Sequence, residues 1–141
     1  MFKIIFITSM FDNIYTINKV SHTISNEYKN QFEFSYYKAT EIDFSYQKYE
    51  ELIKDTKNSN LICIILHGGV STFRNFLKLK EEINGKIPFF IYSSIEDENR
   101  EFISKSGLSP LIQDKISKYY SLGGEKNYRN MLLYMANSLN H

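Results

Sequence analysis

A chain of 141 residues is the size of one domain and can bury roughly 68–70% of its unfolded surface. Its 17 basic and 16 acidic residues leave a net charge of +1 with no basic stripe, which argues against a nucleic-acid partner. No apolar run approaches a membrane span, the first residues lack a signal-peptide pattern, and the single cysteine forms no intrachain disulfide, so a cytoplasmic protein is expected.

Lys3 to Ile7 reads as an apolar, central first strand ending at Thr8-Ser9. Asp12 or Asn13 then caps a helix with Ile14, Ile17, Val20, Ile24 and Tyr28 on one face. Phe32, Phe34 and Tyr36 alternate with Glu33, Ser35 and Tyr37, the period-two pattern of a half-exposed edge strand. Ser45 caps a short helix expected to bury Tyr46, Tyr49, Leu52 and Ile53, and Asn58-Ser59-Asn60 turns the chain. The six apolar residues Leu61–Leu66 follow, a strand buried on both faces, with Cys63 as a small core hydrophobe.

That strand stops at His67-Gly68-Gly69, after which Ser71 and Thr72 offer caps for a helix with apolar positions Phe73, Phe76, Leu77 and Ile83. Gly85 ends it, and Ile87 to Tyr92 makes a fourth strand, with Pro88 tolerated at its start. A short polar helix opens near Asp97 and closes at Gly107. Ser109-Pro110 starts another, carrying Ile112, Ile116 and Tyr119 up to Gly123-Gly124. The last helix shows a stripe of Tyr128, Met131, Leu132, Met135 and Leu139, either core or a docking surface. Strands alternating with helices, joined by right-handed crossovers, give a three-layer α/β domain over residues 1–141. Its expected form is flavodoxin-like or Rossmann-like: about four parallel strands in the order 2-1-3-4, with helices on both faces.

In this topology the carboxyl ends of the first and third strands bring two loops together. Thr8, Ser9 and Asn13 stand on one, and His67, Gly68, Gly69 and Ser71 on the other. Hydroxyls, backbone N–H groups and a helix N-terminus there suit a phosphate or carboxylate, as in a stand-alone module for a nucleotide, flavin or other anion. The same residues also serve as pure architecture, the glycines for a tight turn and the hydroxyls as caps. Neither loop completes G-x-x-x-x-G-K-[ST] or G-x-G-x-x-G. The His-Gly-Gly turn lacks the G-x-S-x-G elbow of esterases, and the phosphoacceptor Asp of receiver domains is replaced by His67. The glycine of a flavodoxin phosphate loop and the D-x-H-x-x-G signature of cobalamin-binding modules are absent too. No Asp, Glu or second His declares itself beside His67, so no metal site and no catalytic residue is assigned.

Three pieces read together resemble the amino-terminal region of the cobaltochelatase large subunit (CobN type), related to the magnesium chelatase large subunit. They are Lys3-Ile4-Ile5-Phe6-Ile7-Thr8-Ser9; Ile64-Ile65-Leu66-His67-Gly68-Gly69 with the later Ile87-Pro88-Phe89-Phe90-Ile91; and Tyr119-Tyr120-Ser121-Leu122-Gly123-Gly124-Glu125-Lys126-Asn127-Tyr128-Arg129-Asn130-Met131-Leu132. The resemblance implies the first domain of a much longer chain that works with ATPase subunits, using ATP and Mg²⁺, to insert cobalt or magnesium into a tetrapyrrole. The ring and metal machinery of such chains is expected in later regions. This domain would then carry no cofactor or catalytic residue, and its partners would be the remaining domains of the parent chain, with no membrane or nucleic acid.

Overall fold

The computed structural model describes residues 1–9 and 12–139; the side chains of Asp12 and Asn13 fall outside the description. Four parallel strands, β1 (Phe2–Thr8), β2 (Phe32–Lys38), β3 (Leu61–Leu66) and β4 (Phe89–Ser93), stand in the order β2-β1-β3-β4. Seven helices connect and cover them: α1 (Asp12–Glu27), α2 (Ala39–Phe44), α3 (Tyr46–Thr56), α4 (Phe76–Ile83), α5 (Glu96–Ile103), α6 (Pro110–Leu122) and α7 (Gly124–Leu139). The expected strand order and the helices on both faces are observed.

Every residue of β1 and β3 is buried, because alternate side chains enter two different cores. Ile4, Phe6, Leu61, Cys63, Ile65 and Phe90 face α1, α6 and α7. Ile5, Ile7, Ile62, Ile64, Leu66 and Ile91 face α2 to α5. Each such isoleucine or leucine contributes about 1.5–3 kcal/mol on leaving water. Cys63 is fully buried, and burial pushes its thiol well above the ordinary value, so it behaves as a core hydrophobe. The stripe of α7 points inward: Tyr128, Met131, Leu132 and Met135 are buried in the first core, so the stripe is core and not a docking surface.

Several local expectations are corrected. The stretch Ala39–Phe44 forms a short extra helix, burying Ala39 and Ile42. Ser45 caps α3 as expected, accepting from the Lys48 N–H at 3.2 Å, yet Tyr46 is 71% exposed and lies under the Lys78 ammonium. Ser71 and Thr72 do not cap a helix but sit in a 3₁₀ turn, Val70–Thr72, their hydroxyls donating to the carbonyls of Gly68 and Gly69. The helix starts later, at Phe76, and the Asp43 carboxylate from the end of α2 accepts from the N–H groups of Arg74 and Asn75 at 2.7 and 3.0 Å. That start sets the buried stripe at Phe76, Leu79 and Ile83, leaving Leu77 58% exposed. The fourth strand begins at Phe89, not Ile87, and α5 ends at Ile103, with Gly107 (φ +80°) in the turn against Pro88. In α6 the fully buried tyrosine is Tyr120, with Tyr119 half-buried.

The two sheet edges are closed by different chemistry. On the β2 side, Lys3 is nearly buried and its Nζ pairs with Asp55 of α3 and, at 3.2 Å, with Glu33 of β2; the Tyr37 hydroxyl donates to Asp55 at 2.8 Å. Along β4 no fifth strand follows among the described residues. Phe89 N–H donates to Ser106 O at 2.8 Å, the Asn99 carboxamide exchanges two 2.8 Å bonds with the Ser93 backbone, and Gln113 Nε2 donates to Ile91 O at 3.1 Å. Side-chain amides thus cover the hydrogen-bonding groups a neighbouring strand would take.

Burial raises the cost of the Asp55 charge, but hydrogen bonds from Lys3 and Tyr37 outweigh it and hold the carboxyl below its ordinary value of 3.8. The stability this adds is complete above that value and is lost as the pH falls through the lowered one. Asp55→Ala is expected to cost about 3 kcal/mol in urea unfolding. Asp55→Asn should flatten the acid loss of stability below pH 3.8; an unchanged acid limb would show that the pair contributes nothing.

Candidate functional site

At the carboxyl end of the sheet three strands deliver short polar segments to one place: Thr8-Ser9 from β1, His67-Gly68-Gly69 from β3 and Ser93-Ser94 from β4. Ser9 Oγ donates to His67 O at 3.1 Å, and Ser9 N–H donates to Ile65 O at 3.1 Å. His67 Nε2 shares a 3.1 Å hydrogen bond with Tyr120 Oη of α6, the imidazole tautomer deciding which group donates. Around the imidazole, Tyr92 lies 5.8 Å away between ring centroids and Tyr120 a further 4.7 Å from Tyr92.

The glycine turn spends its donors internally. Gly68 N–H donates to Ser94 Oγ at 2.7 Å, Gly69 N–H to Leu66 O at 3.2 Å, and Val70 N–H to Glu98 Oε1 at 2.9 Å. The same Glu98 oxygen accepts from Ser93 Oγ at 2.7 Å. A carboxylate from the first turn of α5 therefore stands where a bound anion would stand. Gly69 holds φ +82° and ψ −172°, a region open essentially to glycine, and a Cβ there would meet Ile95 Cδ1 at 2.5 Å and Glu98 Oε1 at 2.8 Å.

Of the residues singled out from the sequence, the structure brings Ser9, His67, Gly68, Gly69 and Ser71 into one hydrogen-bonded corner. Thr8 is buried at the strand end. Asn13 lies with its side chain outside the described residues. The sequence reading did not single out Tyr92, Ser94, Glu98 or Tyr120. Ser93-Ser94 ends an apolar strand just as Thr8-Ser9 does, and Glu98 opens a helix, so a signal for the β4 segment existed. Tyr120 stands within the third segment of the resemblance, but nothing in the sequence marked it as a partner of His67.

Among the described residues, no group of three or more His, Cys, Asp or Glu is placed to hold a metal ion, and no helix is long and apolar enough to cross a membrane. A cleft of about 610 Å³ opens at the other end of the sheet beside Tyr28, Gln31 and Tyr134, away from these polar groups.

The chain is similar to an uncharacterized protein of Methanocaldococcus jannaschii, with 26% identity over 102 residues. That match takes in 72% of the chain but only 8% of the relative's length. No protein family and no solved structure matches the chain.

Gly69→Ala is expected to destabilise the fold by about 2–3 kcal/mol, since it adds backbone strain and a clash with Glu98. Gly85→Ala, whose Cβ would meet nothing within 4 Å, should cost less; equal losses in urea titrations would show that the close approach to Glu98 contributes nothing.

Proposed function

We propose that this chain is the N-terminal domain of a large chelatase subunit, part of a cytoplasmic assembly that uses ATP to insert cobalt or magnesium into a tetrapyrrole. The domain itself is non-catalytic and serves as a structural, docking or substrate-access unit. The observation that carries this reading is that the three segments of the resemblance meet at one residue. Ser9 of the first segment donates to His67 of the second, and His67 is bonded to Tyr120 of the third, each at 3.1 Å. The third segment also contains the α6–α7 joint, where Gly123 and Gly124 take φ +68° and +86° and Asn127 Nδ2 donates to Gly123 O at 2.7 Å. The similar archaeal protein, of which the matched stretch is 8%, agrees with a small domain inside a long chain.

In this reading ATPase subunits, the remaining domains of the parent chain and the ring substrate are the partners, and the catalytic chemistry lies outside residues 1–141. The alternative, a free-standing module for a nucleotide, flavin or other anion, has less support, because Glu98 already takes the Val70 N–H that an anion would need.

The reading frame is expected to continue past the His141 codon into a chain of chelatase length, and a stop codon there would overturn the assignment. The isolated domain, incubated with ATP, Mg²⁺ and a metal-free corrinoid or porphyrin, should leave the absorbance spectrum of the ring unchanged. Insertion at the rate of a whole chelatase would remove the non-catalytic role.

A further inference from the structure

Beside the glycine turn, the outer edge of β4, already bonded to Ser106, Asn99 and Gln113, lies at a cleft of about 520 Å³ between α5 and α6. This is the position a fifth strand would occupy; the 104–109 connection bonds the start of β4 through Ser106 O. The walls are rich in acceptors. Glu96 comes from the first turn of α5, Asp114 from α6, and the hydroxyls of Ser94, Ser117 and Ser121 complete the polar surface. No lysine, arginine or histidine lines it. Lys118 reaches the Asp114 carboxylate at 3.1 Å, whereas Glu96 has no ion-pair partner among the described residues. Tyr92 also lines the cleft, its ring packed beside Tyr120 and His67.

A second observation concerns Gln113, which is 2% exposed and forms part of the same wall. Its Nε2 is pinned to Ile91 O, which fixes the orientation of the carboxamide, and its Oε1 has no hydrogen-bond partner. A buried acceptor without a donor is costly, and a ligand bringing an N–H group would relieve it. Next to the cleft, the Glu98 carboxylate already accepts from Val70 N–H and Ser93 Oγ. The negative charge and the spare acceptor select against an anion and for a donor, and the hydroxyls can accept from it.

We propose that the cleft at the end of β4 binds a small organic cation, a compound carrying a primary amine or guanidinium group. The cation sits against Tyr92 and Glu96, and its N–H groups donate to the serine hydroxyls and, after a small adjustment of the wall, to Gln113 Oε1. This goes beyond the chelatase reading and neither stands nor falls with it.

The test is a titration of the ¹⁵N-labelled chain with putrescine and, separately, with inorganic phosphate. The readouts are the Gln113 side-chain carboxamide and the backbone amides of Ser94 and Ser117. Putrescine is expected to shift these signals saturably and phosphate to leave them in place. Glu96→Gln should weaken the putrescine response about five-fold, the size of one exposed charge contact. Ser117→Leu, which fills the cleft from α6, should abolish it while the rest of the spectrum stays folded. Putrescine shifts that do not saturate, shifts that survive both substitutions, or saturation by phosphate instead would each overturn the proposal.

Discussion

The structure depends on a sheet with no wet face. Because β1 and β3 are covered on both sides, each of their side chains must enter one of two cores, and the polar groups of the domain are driven to the ends and edges of the strands. Lys3 is the instructive exception. It lies inside a fully buried strand and is tolerated because it stands near the strand's start, within reach of Asp55 and Glu33. The same constraint confines candidate chemistry to the loops at the carboxyl end, where the backbone emerges from the core.

That corner is wired more tightly than its glycines suggest. A glycine-rich turn after a buried strand usually invites an anion, yet here the turn's N–H groups end on Leu66 O, Ser94 Oγ and Glu98. Glu98 thereby ties the β3 turn to α5 and to the end of β4 at once. His67 does the corresponding work on the other side, linking the β1 loop to α6 through Ser9 and Tyr120. The three layers are thus fastened to one another at the one place where an open α/β sheet would otherwise be loosest.

How much of this was legible follows from what each element depends on. Strand identity, order and edge position were readable because periodicity and burial are properties of the segment itself, as in Leu61–Leu66 against the alternating Phe32–Tyr37. The start of α4 was not, because its cap comes from Asp43, some thirty residues upstream and on another helix. Ser71 and Thr72 looked like caps because hydroxyls bond whichever backbone group is nearest, and in the folded chain the nearest were the carbonyls of Gly68 and Gly69. The roles of Asn99, Gln113 and Glu98 were equally hidden, since each satisfies a backbone group that only the assembled sheet edge leaves waiting.

The order of the strands also bears on how the chain is made. Synthesis delivers β1 before the strands that flank it: Ile4 lies beside Phe34 on one side and Leu61 on the other. An emerging polypeptide must therefore carry the apolar β1 unpaired, or paired only with the half-exposed β2, until β3 has left the ribosome. The long helix α1, amphipathic and next in line, is the first partner able to shield one face of that strand during the wait. The segment most essential to the finished sheet is thus the one longest exposed to the wrong partners.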